Sequence, residues 1–192
     1  MDVLFFNIPW MAFNLYLALL PVLFCGFLFR MPNKFYTVVL GIFWLLYLPN
    51  TIYILTDLHH LVQQWNAVSV LEKFLLLIQY GLLELIGLTC FLIAFFPLEK
   101  ILRKFKISQH TSMVLLIGLN FLMGFAMVLG KIERVNSWDL FVNPQFVIDS
   151  AIHLLRSFQL VSLGILFGLF ANFFYFLFRE KIKWLYTQWS TG

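Results

Sequence analysis

Five long stretches of this chain run almost without a formal charge, and nothing else in the sequence restricts its fold as much. They are Val3 to Phe29, Phe35 to Thr56, Phe74 to Leu98 (broken only by Glu84), Ile107 to Gly130, and Ser157 to Phe178. A helix needs about 20 apolar residues to cross the hydrocarbon layer of a bilayer. Inside that layer every backbone N–H and C=O must find its partner within the protein, which leaves only helices and closed barrels. The runs are continuously apolar and do not alternate, so barrel strands are excluded. The sequence therefore predicts an all-α, polytopic membrane helix bundle with five transmembrane helices. Composition agrees: 62% of the 192 residues are hydrophobic and 11% charged, too little polar surface for a water-soluble domain. Residues 1 to 29 differ from a cleaved signal peptide, because Asp2 stands where a basic segment belongs and no small-residue cleavage site follows. They read as a retained span. No repeat, low-complexity tract or Gly/Pro/Ser-rich linker divides the chain, so residues 1–192 read as a single transmembrane domain.

The charges that do occur orient the bundle. Lys and Arg in short loops stay on the cytoplasmic side. Arg30 and Lys34 follow the first run, Lys100, Arg103, Lys104 and Lys106 the third, and Arg179, Lys181 and Lys183 the fifth: nine of the thirteen basic residues. The other four, Lys73, Lys131, Arg134 and Arg156, fall in the alternate connections. With five spans this sets the amino terminus outside and the carboxyl terminus in the cytoplasm. Because the basic residues sit in short clusters beside apolar runs, the net charge of +4 reports membrane orientation and not nucleic-acid binding. Cys25 and Cys90 lie inside apolar runs and define neither a disulfide framework nor a zinc site.

The longer, more polar connections, Asp57 to Lys73 and Lys131 to Arg156, then face outward. Pro49 falls inside the second run, where it removes a backbone hydrogen bond and should kink or break the helix. Asn143-Pro144 reads as an N-cap followed by proline at the first helical position. A helix starting there is expected to extend the last span outward by about three to four turns.

Two outer segments concentrate polar groups. Where the second run leaves the bilayer, a continuous helix would place Asn50, Tyr53, Asp57, His60 and Gln64 on one stripe about 80° wide, with His59 on the other side. Such a stripe suits binding or catalysis; the alternative makes Thr56 or Asp57 the N-cap of a short interfacial helix. The second segment, Gly130 to Leu140, carries Glu133, Arg134, Asn136 and Asp139. There Arg134 would hold an anionic group and Asn136 orient a ligand, or the charges form surface ion pairs worth under about 1 kcal/mol with Trp138 as an interfacial anchor. Glu84 lies about 16 Å of helix from the outer end of its span. A central acidic residue costs roughly 2.5 to 3.5 kcal/mol on insertion, so Glu84 should face the interior. Tyr80 lies one turn away, and Asn14, Asn120 and Asn172 are possible partners. It serves as interhelical hydrogen-bonded glue or as a proton or cation relay. The pairs Asp57/His60 and Asp149/His153, at i+3 and i+4, also have ligand types and spacings that suit zinc, iron or manganese.

Taken together, the Pro49-Asn50, Tyr53, Thr56-Asp57 and His60-Leu61 pattern, then Asn136-Ser137-Trp138-Asp139 and Pro144, resemble an uncharacterised family of bacterial membrane proteins, domain of unknown function 1361. The resemblance covers most of the chain. It departs at Gly130-Lys131, where family members more often have Gly-Arg. It implies a multi-pass protein of a bacterial plasma membrane and brings no activity, cofactor or protein partner with it.

Three functions compete. One is an outward-facing polar pocket that binds or passes a small solute or ion, using the two outer segments and Glu84. Another is a membrane-embedded, metal-dependent hydrolase or transferase acting on a lipid-linked substrate, with Asp57, His60 and His153 as ligands or general bases. The last is an accessory subunit of a membrane complex. The orientation is directly testable. A reporter fused after Gly192 should read as cytoplasmic, and a cysteine placed at Lys73 should be labelled by an impermeant reagent from outside; an external carboxyl terminus would overturn the topology and relocate both polar segments.

Overall fold

Helices form wherever the apolar runs demand them, and no strand occurs among the described residues, which in this computed structural model are 2–28, 33–95 and 97–190. Phe29, Arg30 and Gly192 lie outside them. Among these residues five helical stretches are long and apolar enough to cross a membrane: Val3–Leu28, Phe35–Ala67, Val70–Phe95, Gln109–Lys131 and Phe158–Ile182. They coincide with the five runs of the sequence, except that the second continues well past Thr56. The chain divides into two compact units, residues 1–91 and 92–192.

In the first unit, α1 (Asp2–Leu28) packs along α2 (Lys34–Tyr47) and α3 (Pro49–Tyr53). Proline separates the last two, as its missing N–H requires. Leu48 stays in the right-handed helical region at φ −54°, and its carbonyl accepts both the Thr51 N–H (3.1 Å) and the Thr51 hydroxyl (2.7 Å). The chain then tightens into a 3-10 turn, Ile54–Asp57, relaxes into α4 (Leu58–Gln64), and closes with a second short 3-10 turn, Trp65–Ala67. Helix α5 (Val70–Phe95) follows. Met11, Ala18, Ile54, Leu76, Tyr80, Leu83 and Cys90 form the buried core of this unit.

In the second unit, α6 (Pro97–Lys104) leads to α7 (Gln109–Lys131), which is started by the Ser108 side chain accepting from the Thr111 N–H (3.1 Å). A single turn, α8 (Asp139–Val142), precedes α9 (Pro144–Arg156). Asn143 caps α9 as the sequence indicates, its Oδ1 accepting from the Phe146 N–H at 3.3 Å with Pro144 beside it. The expected continuation into the last span does not occur. Ser157 breaks the helix with an extended backbone (φ −95°, ψ 112°), and its hydroxyl accepts from the Leu160 N–H (3.4 Å) at the start of α10 (Phe158–Ser190). Serine competes with the helical ladder and is favoured at a start more than in an interior.

Helices α7 and α10 approach so closely at Gly124 that no side chain fits there. A Cβ on Gly124 would overlap the Gly164 carbonyl oxygen and the Gly168 backbone nitrogen, and would lie 2.8 Å from the Gly168 Cα. One on Gly164 would meet the Phe125 ring at 2.6 Å. Close backbone contact of this kind substitutes for a hydrophobic driving force that lipid cannot supply between helices. Gly118, on the same helix, faces open space. Gly124→Ala should therefore lower the stability of the detergent-solubilised protein by about 1 to 3 kcal/mol, whereas Gly118→Ala should leave it equal or raise it slightly; thermal melting of the two variants distinguishes them, and equal melting would show the seam to be loose.

Candidate functional site

The first unit holds a polar cluster deep among apolar side chains. Asp57 is 1% exposed, and Asn14 of α1 donates to its Oδ2 at 2.8 Å. Asp57 occupies the N-cap position of α4, yet its carboxylate caps no backbone N–H there. The alternative of a capping Asp57 is thus replaced by a carboxylate turned toward α1. Nearby, Asn7 is fully buried and connects three helices. Its Nδ2 donates to Gln64 Oε1 (3.0 Å) and Gln79 Oε1 (3.3 Å), while its Oδ1 accepts from Gln64 Nε2 (2.9 Å) and Trp10 Nε1 (3.2 Å). That uses all four hydrogen-bonding positions of the amide. Tyr80 donates its hydroxyl to Gln64 Oε1 (3.3 Å), and Gln79 Nε2 donates to the Leu4 carbonyl (3.0 Å).

Glu84 stands apart. Both of its carboxyl oxygens are shielded from solvent, and neither has a hydrogen-bond partner among the described residues. The asparagines offered by the sequence are engaged elsewhere. Asn14 serves Asp57, and Asn120 Nδ2 donates to Asn172 Oδ1 (3.0 Å), with Asn172 Nδ2 bonding the Gly168 carbonyl (2.9 Å) in the α7–α10 seam.

The polar stripe is divided by the 3-10 turn. Asp57 and Gln64 turn inward as described. Asn50 Nδ2 bonds back to the Tyr47 carbonyl at 3.1 Å, and Tyr53 is half-buried. His60 packs its ring 5.3 Å from Trp10 and contacts Gln63 Oε1 at 3.4 Å, whereas His59 is exposed and accepts from Gln63 Nε2 at 2.8 Å.

In the second unit, the Gly130 to Leu140 segment folds mostly on itself. Arg134 is exposed and adopts φ 57°, in the left-handed region. The Asp139 carboxylate accepts the Asn136 backbone N–H (2.6 Å), and Asn136 Nδ2 lies 3.3 Å from the same oxygen. Glu133 pairs with His153 across the loop (2.9 Å), and Asp149 accepts from Gln145 (3.0 Å). His153 is thus drawn to Glu133 and not to Asp149. Among the described residues no group of three or more His, Cys, Asp or Glu side chains is placed to hold a metal ion.

Sequence reading missed two groups. Asn7 and Gln79 lie within apolar runs, and their signal was that they are amides in such runs. Glu99, in a connector counted only for its basic residues, is 4% exposed and accepts from the Tyr175 hydroxyl, from Arg179 Nε and Nη2 (3.0 Å to Nη2), and from Arg103 (3.2 Å).

Five apolar helical stretches with amides and carboxyls turned inward define a polytopic helical membrane protein. The chain belongs to the family described as protein of unknown function (DUF1361), whose model matches residues 13–174. Comparison with curated proteins and with solved structures finds no match.

The neighbouring histidines should behave differently. His60→Ala removes a ring packed on Trp10, a contact worth about 0.5 to 1.5 kcal/mol, and should lower the melting temperature and shift Trp10 emission. His59→Ala should change neither; equal effects would contradict the packing.

Proposed function

We propose that the first unit is a binding site, open toward the outer face, for a proton or another small cation, which it holds or passes between Asp57 and Glu84. The observation that carries this reading is Glu84: a carboxyl group within a spanning helix, shielded from solvent and without a hydrogen-bond partner among the described residues. Leaving a buried polar group unsatisfied costs about 1 to 3 kcal/mol, and ionisable groups inside membrane segments mark ion and proton pathways. Purely structural glue would be bonded, as Asn7 and Asn172 are. A second carboxylate at Asp57 makes the pair a favourable place for positive charge, because two like charges in one site disfavour each other until a proton or cation separates them. The hydrogen bonds around Asn7, Gln64 and Gln79 hold α1, α4 and α5 in register around that pair. The basic-residue distribution supports an outer amino terminus and a cytoplasmic carboxyl terminus, with the chain acting as one transmembrane domain in the plasma membrane.

Glu84→Gln keeps the size of the side chain and its capacity to hydrogen-bond but cannot ionise. Purified protein in liposomes containing a pH-sensitive dye, with Na⁺, K⁺ or H⁺ gradients imposed, should give a cation-dependent signal that Glu84→Gln abolishes while its melting temperature stays near that of the parent. Glu84→Leu should lose the signal and also destabilise. A parent protein without any cation-dependent signal, or equal signals from parent and Glu84→Gln, would overturn the reading.

A further inference from the structure

A cavity of about 440 Å³ opens in the second unit beside the Glu99 cluster. Its walls include Glu99, Arg103 and Arg179, together with Gln109, Ser112 and Leu116 of α7. Its level is set by the spans: the apolar stretch of α7 begins at Gln109, and that of α10 ends at Ile182, three residues beyond Arg179. The cavity therefore lies where two spanning helices leave the hydrocarbon layer, at the depth of lipid headgroups.

The two arginines are held very differently. Arg179 is fixed by two donors on Glu99, and the same carboxylate is also bonded by the Tyr175 hydroxyl. Glu99 is thus well satisfied before Arg103 contributes. Arg103 reaches it through one contact of 3.2 Å from a side chain that is 67% exposed. At its exposed arginine end this i,i+4 contact is screened by water and contributes little. The Arg103 guanidinium can turn to another anion at small cost, leaving the Glu99–Arg179–Tyr175 core intact. Arginine's planar fork suits the oxygens of a phosphate group, and the Gln109 amide and Ser112 hydroxyl add neutral donors on the cavity wall. Glu180 places a second carboxylate on the lining, which disfavours a multiply charged anion and suits a phosphodiester carrying one negative charge. Leu116 and Ile107 offer apolar wall for the carbon skeleton attached to it.

We infer that this cavity binds a phosphodiester group at headgroup depth, with Arg103 as the exchangeable cation, Arg179 as the fixed one, and Gln109 and Ser112 as neutral donors. The site is separate from the carboxyl pair of the first unit and stands whether or not that pair binds cations.

The full chain, stripped of lipid in a neutral detergent, can be titrated with phosphatidylglycerol, with diacylglycerol bearing the same acyl chains, and with inorganic phosphate, following melting temperature and lipid retention by native mass spectrometry. Phosphatidylglycerol should be retained and raise the melting temperature, and diacylglycerol should do neither. Arg103→Gln should weaken retention about tenfold, the loss of one charge-assisted hydrogen bond, without lowering the lipid-free melting temperature. Ser112→Ala should weaken it less and serves as the test if Arg103→Gln does not fold. A stronger response to inorganic phosphate than to the lipid would keep the phosphate chemistry and make the free anion its source. Equal retention of phosphatidylglycerol and diacylglycerol, or retention unchanged in both Arg103→Gln and Ser112→Ala, would overturn the inference.

Discussion

Within the hydrocarbon layer no water is present to take up an unused hydrogen bond, so each polar group carried there must find its partner inside the protein. Much of the arrangement follows from that condition. It makes the backbone helical, and it draws Asn7, Asn14 and Gln64 into side-chain contacts that tie α1 to α4 and to the turn preceding it. It also explains why Asn172 bonds both Asn120 and a backbone carbonyl of its own helix. Glu84 differs from these amides in that the fold shields both of its carboxyl oxygens and satisfies neither.

The two units solve the packing problem by different means. In the first, large side chains and amides fill the space between helices, and the core around Met11, Ile54 and Tyr80 is continuous with the polar cluster. In the second, α7 and α10 dispense with side chains at Gly124, Gly164 and Gly168 so that the backbones themselves touch. The first arrangement leaves polar groups buried among apolar side chains. The second rigidifies a pair of helices and holds Tyr175 and Arg179 of α10 against Glu99 of α6.

Much of the fold was legible in the sequence because it depends on local rules. Long apolar runs, the break at Pro49 and the cap at Asn143 each act within a few residues of themselves, and each is found where expected. The 3-10 turn at Ile54–Asp57 was not legible. It depends on how Ile54 packs, since its side chain lies about 3.0 Å from where a Cβ on Gly87 would sit, and a distant contact leaves no local signature. The site was readable in the same proportion. Asp57 and Glu84 were visible as acids in or beside apolar sequence, but the pairing of Asp57 with Asn14 spans 43 residues, and that of Glu99 with Tyr175 spans 76. Spacing along a helix makes an Asp149–His153 contact possible without making it the preferred one, and in the structure His153 pairs with Glu133, 20 residues away.

The short 3-10 turn before α4 has a mechanical consequence. It advances about 120° per residue where an α-helix advances about 100°, and rises about 2.0 Å per residue instead of about 1.5 Å. Across its four residues, Ile54–Asp57, rewinding to α-helix would rotate everything beyond it by roughly 80° and shorten the segment by about 2 Å. Gln64 lies on the far side of that turn and is clamped to Asn7 by two hydrogen bonds. Winding and clamping therefore constrain each other: the segment behaves as a screw whose pitch cannot change while its end is bolted, and Asp57 is on the thread.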